Sequence, residues 1–519
     1  MAKRTSGSRS TSSSRRVTLS KRPAGQPPRA HQEVIDTRAD PTPDAAGNLG
    51  RMTCCGPSRR TALGILGLAA LTPLARTGSA RAQSNPVIAT DLEVVTVTGD
   101  SVIMTWTTVT PGTDGGSVPV AAGGEVRIGP ADAARTPTVR YAESESTPFH
   151  YAEIHGLEPG RRYRFEAWSD GNRATPALNT TTLAPGSPEI TGEFTTLVPP
   201  PGRLLRTLAL ANDVHYGETV SGLVVGDFPP GFRQAPGQPP YPEVMLSALL
   251  DDLRRPDRAA QRLLLAGDLT SEARPEESRT VRTRLDSWGA LGQDYLVVRG
   301  NHDRPHLGDD YRDCRPAPAD HRDCWGEIFT ARQELVEHEI GGLRVLGLDT
   351  SDLDAAGGRI DPTQFDRLAQ VLRADPDRPT LVFGHHPVTR ESGLTNTAGP
   401  GFVLNAADSA ELQALYTRAP GVFLHHAGHT HRNRRTRPDA DCAVEFLEVA
   451  AVKEYPGGYS LLRVYEGGYM VNFYKTRTPA ARAWSAVTRG EYFGLLPEYT
   501  LGVPGDRNHV VLRDFSGLS

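Results

Sequence analysis

One eight-residue stretch joins an apolar run to three polar side chains that can bind a metal or move a proton. The run Leu296–Val298 reads as the end of a buried strand, and Arg299-Gly300 follows it. Asn301, His302 and Asp303 then come without a spacer. Open α/β sheets bind ligands at the carboxyl ends of their strands, so these three side chains predict a functional site. The alternative for this stretch alone is a tight turn with His302 on the surface.

Four other apolar runs end in residues of the same kinds. They deliver Asp213 with His215, then Asp268, then His385 with His386, and finally His429 with His431. Each set alone is a weak signal, but five sets in succession favour one shared site. Two metal ions about 3.5–4 Å apart need a bridging carboxylate with nitrogen and oxygen donors on both sides, which these residue types supply. Imidazole mixed with carboxylate suits zinc, iron or manganese, and the lack of cysteine in these motifs argues against a closed structural zinc site.

The spacing within two of the sets carries a geometric prediction. Asp213 and His215 are two residues apart, and so are His429 and His431. Side chains alternate along an extended segment, so we expect both members of each pair to face the same side.

The elements that must position these residues alternate between strands and helices. The predicted strands are Leu204–Ala211, Leu263–Ala266, Tyr295–Val298, Leu343–Leu348, Thr380–Phe383 and Val422–Leu424. Apolar residues at helical spacing predict a helix from Pro242 to Leu253. From Val444 onward, alternating runs such as Tyr459–Val464 and Tyr469–Tyr474 predict antiparallel hairpins. This succession predicts a layered α/β domain.

Two further helix starts are predicted from capping residues. Asp361-Pro362 begins one helix, with Gln364 placed for a capping box. Asp408 with Glu411 is expected to cap another. Between the first set and the helix at Pro242, residues 216–241 are rich in glycine and proline, which predicts a lid or binding loop.

The five sets, in this order, resemble those of the calcineurin-like metallophosphoesterase superfamily, over roughly residues 203 to 480. The resemblance implies a four-layer α/β sandwich in a domain of residues 203–519, with two metal ions (Mn, Fe or Zn) per chain. The implied ligands are Asp213, His215 and His431 for the first metal, Asp268 as the bridge, and Asn301, His385 and His429 for the second. It also implies that a metal-bridging hydroxide attacks phosphorus in line, while His302, oriented by Asp303, faces the substrate phosphate.

The chain departs from one branch of this superfamily. Purple acid phosphatases carry a tyrosine ligand in their first two motifs, whereas here His215 stands in the first and Leu269-Thr270 follow Asp268. The departure favours a phosphodiesterase of the bacterial branch, acting on a small phosphoester. Phosphomonoester hydrolysis is the alternative. A secreted binding protein on an inactive scaffold would lack a ligand, and none of the seven positions is missing.

Residues 85–198 read as short strands separated by turns, without a predicted catalytic group. Leu157-Glu158-Pro159 precedes a strand that carries Tyr163, which is the pattern of a tyrosine corner in an immunoglobulin-like sandwich. Trp106 is expected to be the buried tryptophan of that sandwich. The region resembles a fibronectin type III module or the amino-terminal domain of purple acid phosphatases.

The amino-terminal part predicts export. Residues 1–51 form a low-complexity extension that cannot support a core, and residues 52–82 resemble a twin-arginine signal peptide. Arg59-Arg60 precede the apolar run Leu63–Ala75, and Ala80-Arg81-Ala82 provides a cleavage site before Gln83. That run is too short to span about 30 Å of hydrocarbon, so we expect no membrane span in the mature chain and a periplasmic, cell-wall or extracellular location.

Charge and cysteine content agree with this interpretation. A net charge of -4 over 519 residues gives no case for a nucleic-acid partner or an anionic membrane. Cys314 and Cys324 could close a small loop in an oxidising compartment, with Cys442 left over.

Overall fold

The computed structural model describes residues 86–518, apart from residues 114 and 135 and the ranges 178–185, 224–227 and 437–441. The predicted extension and signal peptide lie outside the described residues. Within them, no helix has both the length and the apolar character that crossing a bilayer requires.

The amino-terminal region is an antiparallel β-sandwich, as predicted. Its elements are β1 (Ile88–Val97), β2 (Ser101–Pro111), β3 (Ser117–Pro119), β4 (Gly124–Pro130), β5 (Thr138–Ala142), β6 (Phe149–His155), β7 (Arg162–Ser169), β8 (Asn172–Arg173), α1 (Pro188–Thr191) and β9 (Glu193–Thr195). In one sheet β2 pairs with β1, β3 and β6, and the other sheet has the order β5-β4-β7-β8 with β9 also on β7.

The two side chains expected to mark this sandwich occupy the predicted places. The hydroxyl of Tyr163 accepts a hydrogen bond from the main-chain N–H of Glu158 at 2.8 Å, which is the tyrosine corner. Trp106 is buried between the sheets, and its Nε1 donates to the Ser169 hydroxyl at 2.9 Å.

The second region contains two six-stranded mixed sheets. The strands are β10 (Leu204–Ala211), β11 (Arg262–Ala266), β12 (Tyr295–Val298), β13 (Arg315–Pro316), β14 (Arg322–Asp323), β15 (Val336–Ile340), β16 (Leu343–Leu348), β17 (Thr380–Gly384), β18 (Val422–Ala427), β19 (Arg434–Thr436), β20 (Glu445–Glu448), β21 (Gly458–Tyr465), β22 (Gly468–Lys475) and β23 (Asn508–Leu512). One sheet has the order β12-β11-β10-β21-β22-β23 and the other β15-β16-β17-β18-β20-β19, while β13 and β14 form a separate hairpin.

Helices lie between and after these strands along the chain. They are α2 (Tyr241–Leu253), α3 (Pro275–Asp286), α4 (Cys324–Ile328), α5 (Pro362–Ala374), α6 (Arg390–Thr395), α7 (Ala406–Thr417), α8 (Pro479–Thr488), α9 (Glu491–Gly494), α10 (Pro497–Leu501) and α11 (Pro504–Arg507). One core lies between the sheets, where Leu210 and Leu264 pack with Leu381 and Phe383. Separate cores join the first sheet to α2, α3 and α8, and the second sheet to α5 and α7. The predicted four-layer α/β sandwich is confirmed.

Several local predictions are corrected. Gln364 does not close a capping box, because its side-chain amide forms hydrogen bonds with the main-chain N–H and carbonyl of Asp349. Asp361 alone caps α5. The helix placed at Asp408 begins at Ala406, because the Asn405 side chain accepts from the Asp408 N–H. The hairpin of β21 and β22 is confirmed, but β20 joins its sheet parallel to β18.

A buried carboxylate fastens the β-sandwich to the second region. Glu93 accepts hydrogen bonds from Lys475 Nζ at 2.5 Å, from the Tyr455 hydroxyl at 2.6 Å and from Arg489 Nε at 3.2 Å. Burial disfavours the charged form of Glu93, yet Lys475 and Arg489 outweigh it and lower its pKa to about 2. The sandwich is therefore held at three places in the second region, namely between β20 and β21, at the end of β22 and just after α8.

Candidate metal centre

Five strands bring the predicted residues to one edge of the molecule. β10, β11 and β12 run parallel in one sheet, and β17 and β18 run parallel in the other. Each of the five is followed directly by one of the sets found in the sequence. Because the two sheets pack face to face, their carboxyl ends meet, and the sets converge there.

The main chain at this edge is not extended as predicted. Asp213 and His215 nevertheless face one group of metal donors, as expected, whereas His429 and His431 belong to different groups. The φ angles are 54° at Asp213, 48° at His215, 51° at Asp268, 69° at His429 and 51° at His431. The left-handed region costs a residue with a side chain roughly 1–2 kcal/mol. Such conformations concentrate at functional sites, where surrounding packing enforces them. Here the left-handed residues turn the main chain sharply just after the strands end.

Two glycines allow the chains to approach one another. A Cβ atom on Gly267, whose φ is 85°, would lie 2.6 Å from the main-chain nitrogen of Gly300. A Cβ on Gly300 would overlap the carboxylate of Asp268. The glycines that precede Asp268 and Asn301 are therefore required by packing.

One group of donors, called the first set, consists of Asp213, His215 and His431. Their donor atoms all lie within 4.8 Å of one another. His431 Nε2 is 3.3 Å and His215 Nε2 is 3.8 Å from Asp213 Oδ1. Asp213 and His215 are almost fully buried, whereas His431 keeps a fifth of its side chain exposed. This arrangement can hold one metal ion.

The other group, called the second set, consists of Asn301, His385 and His429. His385 Nε2 lies 3.0 Å from Asn301 Oδ1 and 3.0 Å from His429 Nδ1. All three side chains are buried. Nδ1 of His385 donates to the main-chain carbonyl of Ala266 at 2.7 Å, which leaves Nε2 available to a metal.

Asp268 lies between the two sets. Its Oδ2 is 3.5 Å from His215 Nε2 in the first set and 3.1 Å from His385 Nε2 in the second. This oxygen is buried and has no hydrogen-bond partner, and the same is true of His215 Nε2. A buried polar atom without a partner costs about 1–3 kcal/mol. The unpaired donors and their N/O chemistry fit two cations that share Asp268.

The charges at the site are matched. Burial disfavours ionised Asp213 and Asp268, yet neighbouring histidines, foremost His431 and His385 respectively, hold the pKa of each carboxyl well below its usual range. Despite burial, the same carboxylates raise the pKa of His385 to about 9 and that of His431 well above its usual value. Burial lowers the pKa of His215 to about 4. A cation that binds at His385 or His431 therefore competes with protons for these imidazoles.

His302 lies beside the metal donors, but its expected orientation by Asp303 is wrong. Its ring centroid is 4.4 Å from that of His215, and its Nδ1 donates to the main-chain carbonyl of Ser271 at 2.7 Å. The Asp303 carboxylate instead accepts from the N–H groups of Leu269, Thr270 and Gly300 and from the Thr270 hydroxyl. Asp303 thus ties the loop after β11 to the loop after β12, and the Ser271 carbonyl orients His302.

His386, which follows His385 in the sequence, is hydrogen-bonded to groups outside the metal donors. His386 lies close to His385 and His429, but its Nδ1 is 2.8 Å from the Thr350 hydroxyl and its Nε2 is 3.0 Å from the Ala356 carbonyl. Both of its nitrogens are therefore used.

Sequence reasoning missed the residues that hold the donors in place. Asn212 donates through Nδ2 to Asp213 Oδ2 and to the main-chain carbonyl of Val449. Glu454 Oε1 accepts from His431 Nδ1 at 2.7 Å. The apolar run Val449–Val452 that precedes Glu454 is visible in the sequence, but the parallel pairing of β20 with β18 that brings Glu454 to the site is not.

The lid predicted at residues 216–241 ends where α2 begins, at Tyr241. Within it, Ser221 pairs with Phe232 through an antiparallel bridge, and the Ser221 hydroxyl donates to Glu454 Oε2 at 2.8 Å. Cys314 and Cys324 form a disulfide.

Comparison with known proteins agrees with this geometry. Residues 206–433 match the calcineurin-like phosphoesterase family. The chain is 31% identical over 236 residues to a cAMP/cGMP dual specificity phosphodiesterase of Mycobacterium tuberculosis (strain CDC 1551 / Oshkosh), a match that covers 42% of this chain and 68% of that protein.

Two other relatives are more distant or shorter matches. A probable cyclic nucleotide phosphodiesterase of Synechococcus sp. is 29% identical over 151 residues, covering 28% of this chain and 52% of that protein. The glycerophosphodiester phosphodiesterase GpdQ of Enterobacter lignolyticus (strain SCF1) is 28% identical over 201 residues, covering 36% and 61%. The chain thus spans about half to two thirds of the length of the curated relatives it matches.

Proposed function

Because this chain belongs to the calcineurin-like phosphoesterase family, whose members are metal-dependent phosphoesterases, we propose that it hydrolyses small phosphodiesters at the centre described above. The observation that carries the proposal is the convergence of two donor sets on the Asp268 carboxylate, with His302 beside them. In this proposal Asp213, His215 and His431 hold one ion, Asn301, His385 and His429 hold the other, and Asp268 is shared.

Two bound cations would neutralise charge on the phosphoryl group and lower the pKa of water. The protein's own contribution begins with rigid donors, since strained main-chain turns and buried hydrogen bonds fix them before substrate arrives. As an imidazolium, His302 would protonate, or hydrogen-bond to, the leaving oxygen. Because the Ser271 carbonyl can only accept, Nδ1 of His302 carries a hydrogen, and this bond fixes the ring beside the metal donors.

The pairing of three cationic side chains that adjoin the site in sequence supports a diester substrate. Lys453 bonds Glu218, Arg432 forms two hydrogen bonds with Glu448, and Arg299 does the same with Asp323. A phosphomonoester dianion carries one more negative charge than a diester and would gain more from an unpaired cation. Cations already committed to carboxylates therefore favour the monoanionic diester.

The three relatives described above are named as phosphodiesterases, which supports the same class. Their names include cyclic nucleotides and glycerophosphodiesters, so both are candidates for this chain. A phosphomonoester is the second candidate.

A matched pair of substrates tests the proposal. The purified mature protein is loaded with Mn, Zn or Fe and assayed with bis(p-nitrophenyl) phosphate and p-nitrophenyl phosphate, which share one leaving group. We expect kcat/KM to be at least about 10-fold higher for the diester. Cyclic nucleotides and glycerophosphodiesters then rank the natural classes. A higher kcat/KM for the monoester would support the phosphomonoesterase alternative instead, and no turnover with any of the metals would contradict hydrolysis altogether.

We also propose that the protein is exported through the twin-arginine pathway. The support is Arg59-Arg60 before an apolar run, a cleavage site before Gln83, and the Cys314–Cys324 disulfide, which suits an oxidising compartment. Replacing both arginines by lysine should retain the precursor in the cytoplasm. Amino-terminal sequencing of the exported wild-type chain should begin at Gln83, and a mature chain that starts before Ala80 would contradict the cleavage site.

A further inference from the structure

The two histidines of the first set are contacted from behind by a charged group, here called the backing network, made of the partly buried Glu218 and the buried Lys453 and Glu454. Glu454 Oε1 is 2.7 Å from Nδ1 of His431, and Glu218 Oε2 is 3.6 Å from Nδ1 of His215. In both histidines this is the nitrogen opposite the metal-facing Nε2. The network therefore approaches both imidazoles from the same side.

Lys453 joins the two glutamates into one unit. Its Nζ lies 2.7 Å from Glu218 Oε2 and 3.2 Å from Glu454 Oε2. Lys453 is 4% exposed and Glu454 is 2% exposed, so these charges are desolvated and depend on one another. The Ser221 hydroxyl adds a third donor to Glu454, at 2.8 Å from Oε2. A carboxylate held by three donors has little freedom to move.

The second set is supported differently. Nδ1 of His385 donates to the main-chain carbonyl of Ala266, and the ring of His429 stacks on Phe402 with centroids 4.0 Å apart. A main-chain carbonyl and an aromatic ring orient an imidazole without placing a negative charge behind it. An ionised carboxylate on the far nitrogen both orients the ring and raises its basicity toward a metal. The first and second sets are therefore supported in different ways, and their metal affinities can be compared.

We propose that Glu454 is a positioning residue that sets the metal affinity of the first set. It fixes the tautomer of His431 with the proton on Nδ1, so that Nε2 faces Asp213, and Lys453 and Ser221 fix Glu454 in turn. Glu218 supports His215 in the same way at longer distance. Since Ser221 belongs to residues 216–241, the network also fastens this loop to the first set. The inference rests on the proposed assignment of Asp213, His215 and His431 to one metal ion.

Calorimetric titration of the metal-free mature chain with Mn²⁺ tests the inference. The wild type should bind two ions, and a His429→Ala variant, which weakens the second set, identifies the binding event of the first. Glu454→Gln keeps the volume and a hydrogen-bond acceptor but removes the charge. We expect it to weaken the first-set event by about 10-fold, within the 10–100-fold range for lost orienting partners. The second-set event should change by less than about 3-fold, within the usual context-dependent spread.

Glu445→Gln is the matched control. Glu445 Oε1 lies 2.7 Å from Nε2 of His509, and both residues are buried, but neither belongs to the metal sets. This variant should leave both binding events unchanged. If Glu454→Gln behaves like the control, or weakens both events by the same factor, Glu454 is only structural and the inference is wrong. A wild-type chain that binds fewer than two ions contradicts the proposed function, and this inference falls with it.

Discussion

Buried histidines occur in two regions of this molecule, and their nitrogens are used differently. In the β-sandwich, His150 stacks on Trp106 with ring centroids 4.5 Å apart. Its Nδ1 is 2.7 Å from Glu143 Oε2, and its Nε2 is 3.2 Å from the hydroxyls of both Thr108 and Ser169. Every polar atom of this ring has a partner within the sandwich. His150 is therefore a packing residue with satisfied polar atoms.

At the edge where the two sheets meet, His215 and His429 are similarly buried, but each has a nitrogen without a hydrogen-bond partner. Nε2 of His215 has no hydrogen-bond partner and lies within 3.8 Å of both Asp213 and Asp268. An unpaired nitrogen alone is not enough, because His425 also has one and is surrounded by the rings of Tyr416 and Phe446. The candidate ligands His215, His385 and His431 are distinguished because Nε2 of each lies within 3.8 Å of a carboxylate oxygen of Asp213 or Asp268.

The largest effect should come from the residue shared by both sets. Asp268→Asn removes the negative charge between His215 and His385, so we expect metal content below two ions per chain and no measurable turnover. Metal analysis by mass spectrometry and the bis(p-nitrophenyl) phosphate assay measure the two quantities. Two ions still bound, together with wild-type activity, would show that Asp268 does not bridge.

A smaller loss of activity is expected when His302, which belongs to neither donor set, is replaced. His302→Ala should keep both metal ions while lowering the rate by roughly 10²–10⁴-fold, because it removes the proton donor and leaves the metal donors intact. The loss should be greater for diesters with alkoxide leaving groups than for nitrophenyl esters, which need no proton. Equal losses with the two kinds of leaving group would mean that His302 only positions the phosphate.

The strands and the site residues could be predicted together because each depends on residues that are close to one another in the sequence. An apolar run predicts a strand, and the residue after it lies at the sheet edge whatever the rest of the fold does. This reasoning found both sets and Asp268. It also placed Tyr163 and Trp106, whose burial in the sandwich is confirmed.

What remained hidden depends on contacts between distant segments. Glu454 follows a strand as the other site residues do, but residues from Val444 onward were expected to form antiparallel hairpins, and only the parallel pairing of β20 with β18 brings Glu454 to the edge. The partners of Asp303 are main-chain amides of another loop, which carry no side-chain signature. The left-handed conformation of Asp213 is enforced by packing that the sequence does not display.

The smallest effect on chemistry should come from the satisfied histidine of the sandwich. His150→Ala removes a ring that pairs Glu143 with Thr108 and Ser169, and each buried group left without a partner costs about 1–3 kcal/mol. We expect a lower midpoint of urea unfolding, with metal content and kcat within about 2-fold of wild type, as for most changes remote from a site. His150→Gln, which retains a donor and an acceptor, should recover part of the lost stability. A His150→Ala chain that loses a metal ion would show that complete pairing does not separate packing histidines from ligands, and the criterion drawn from the two regions would have to be abandoned.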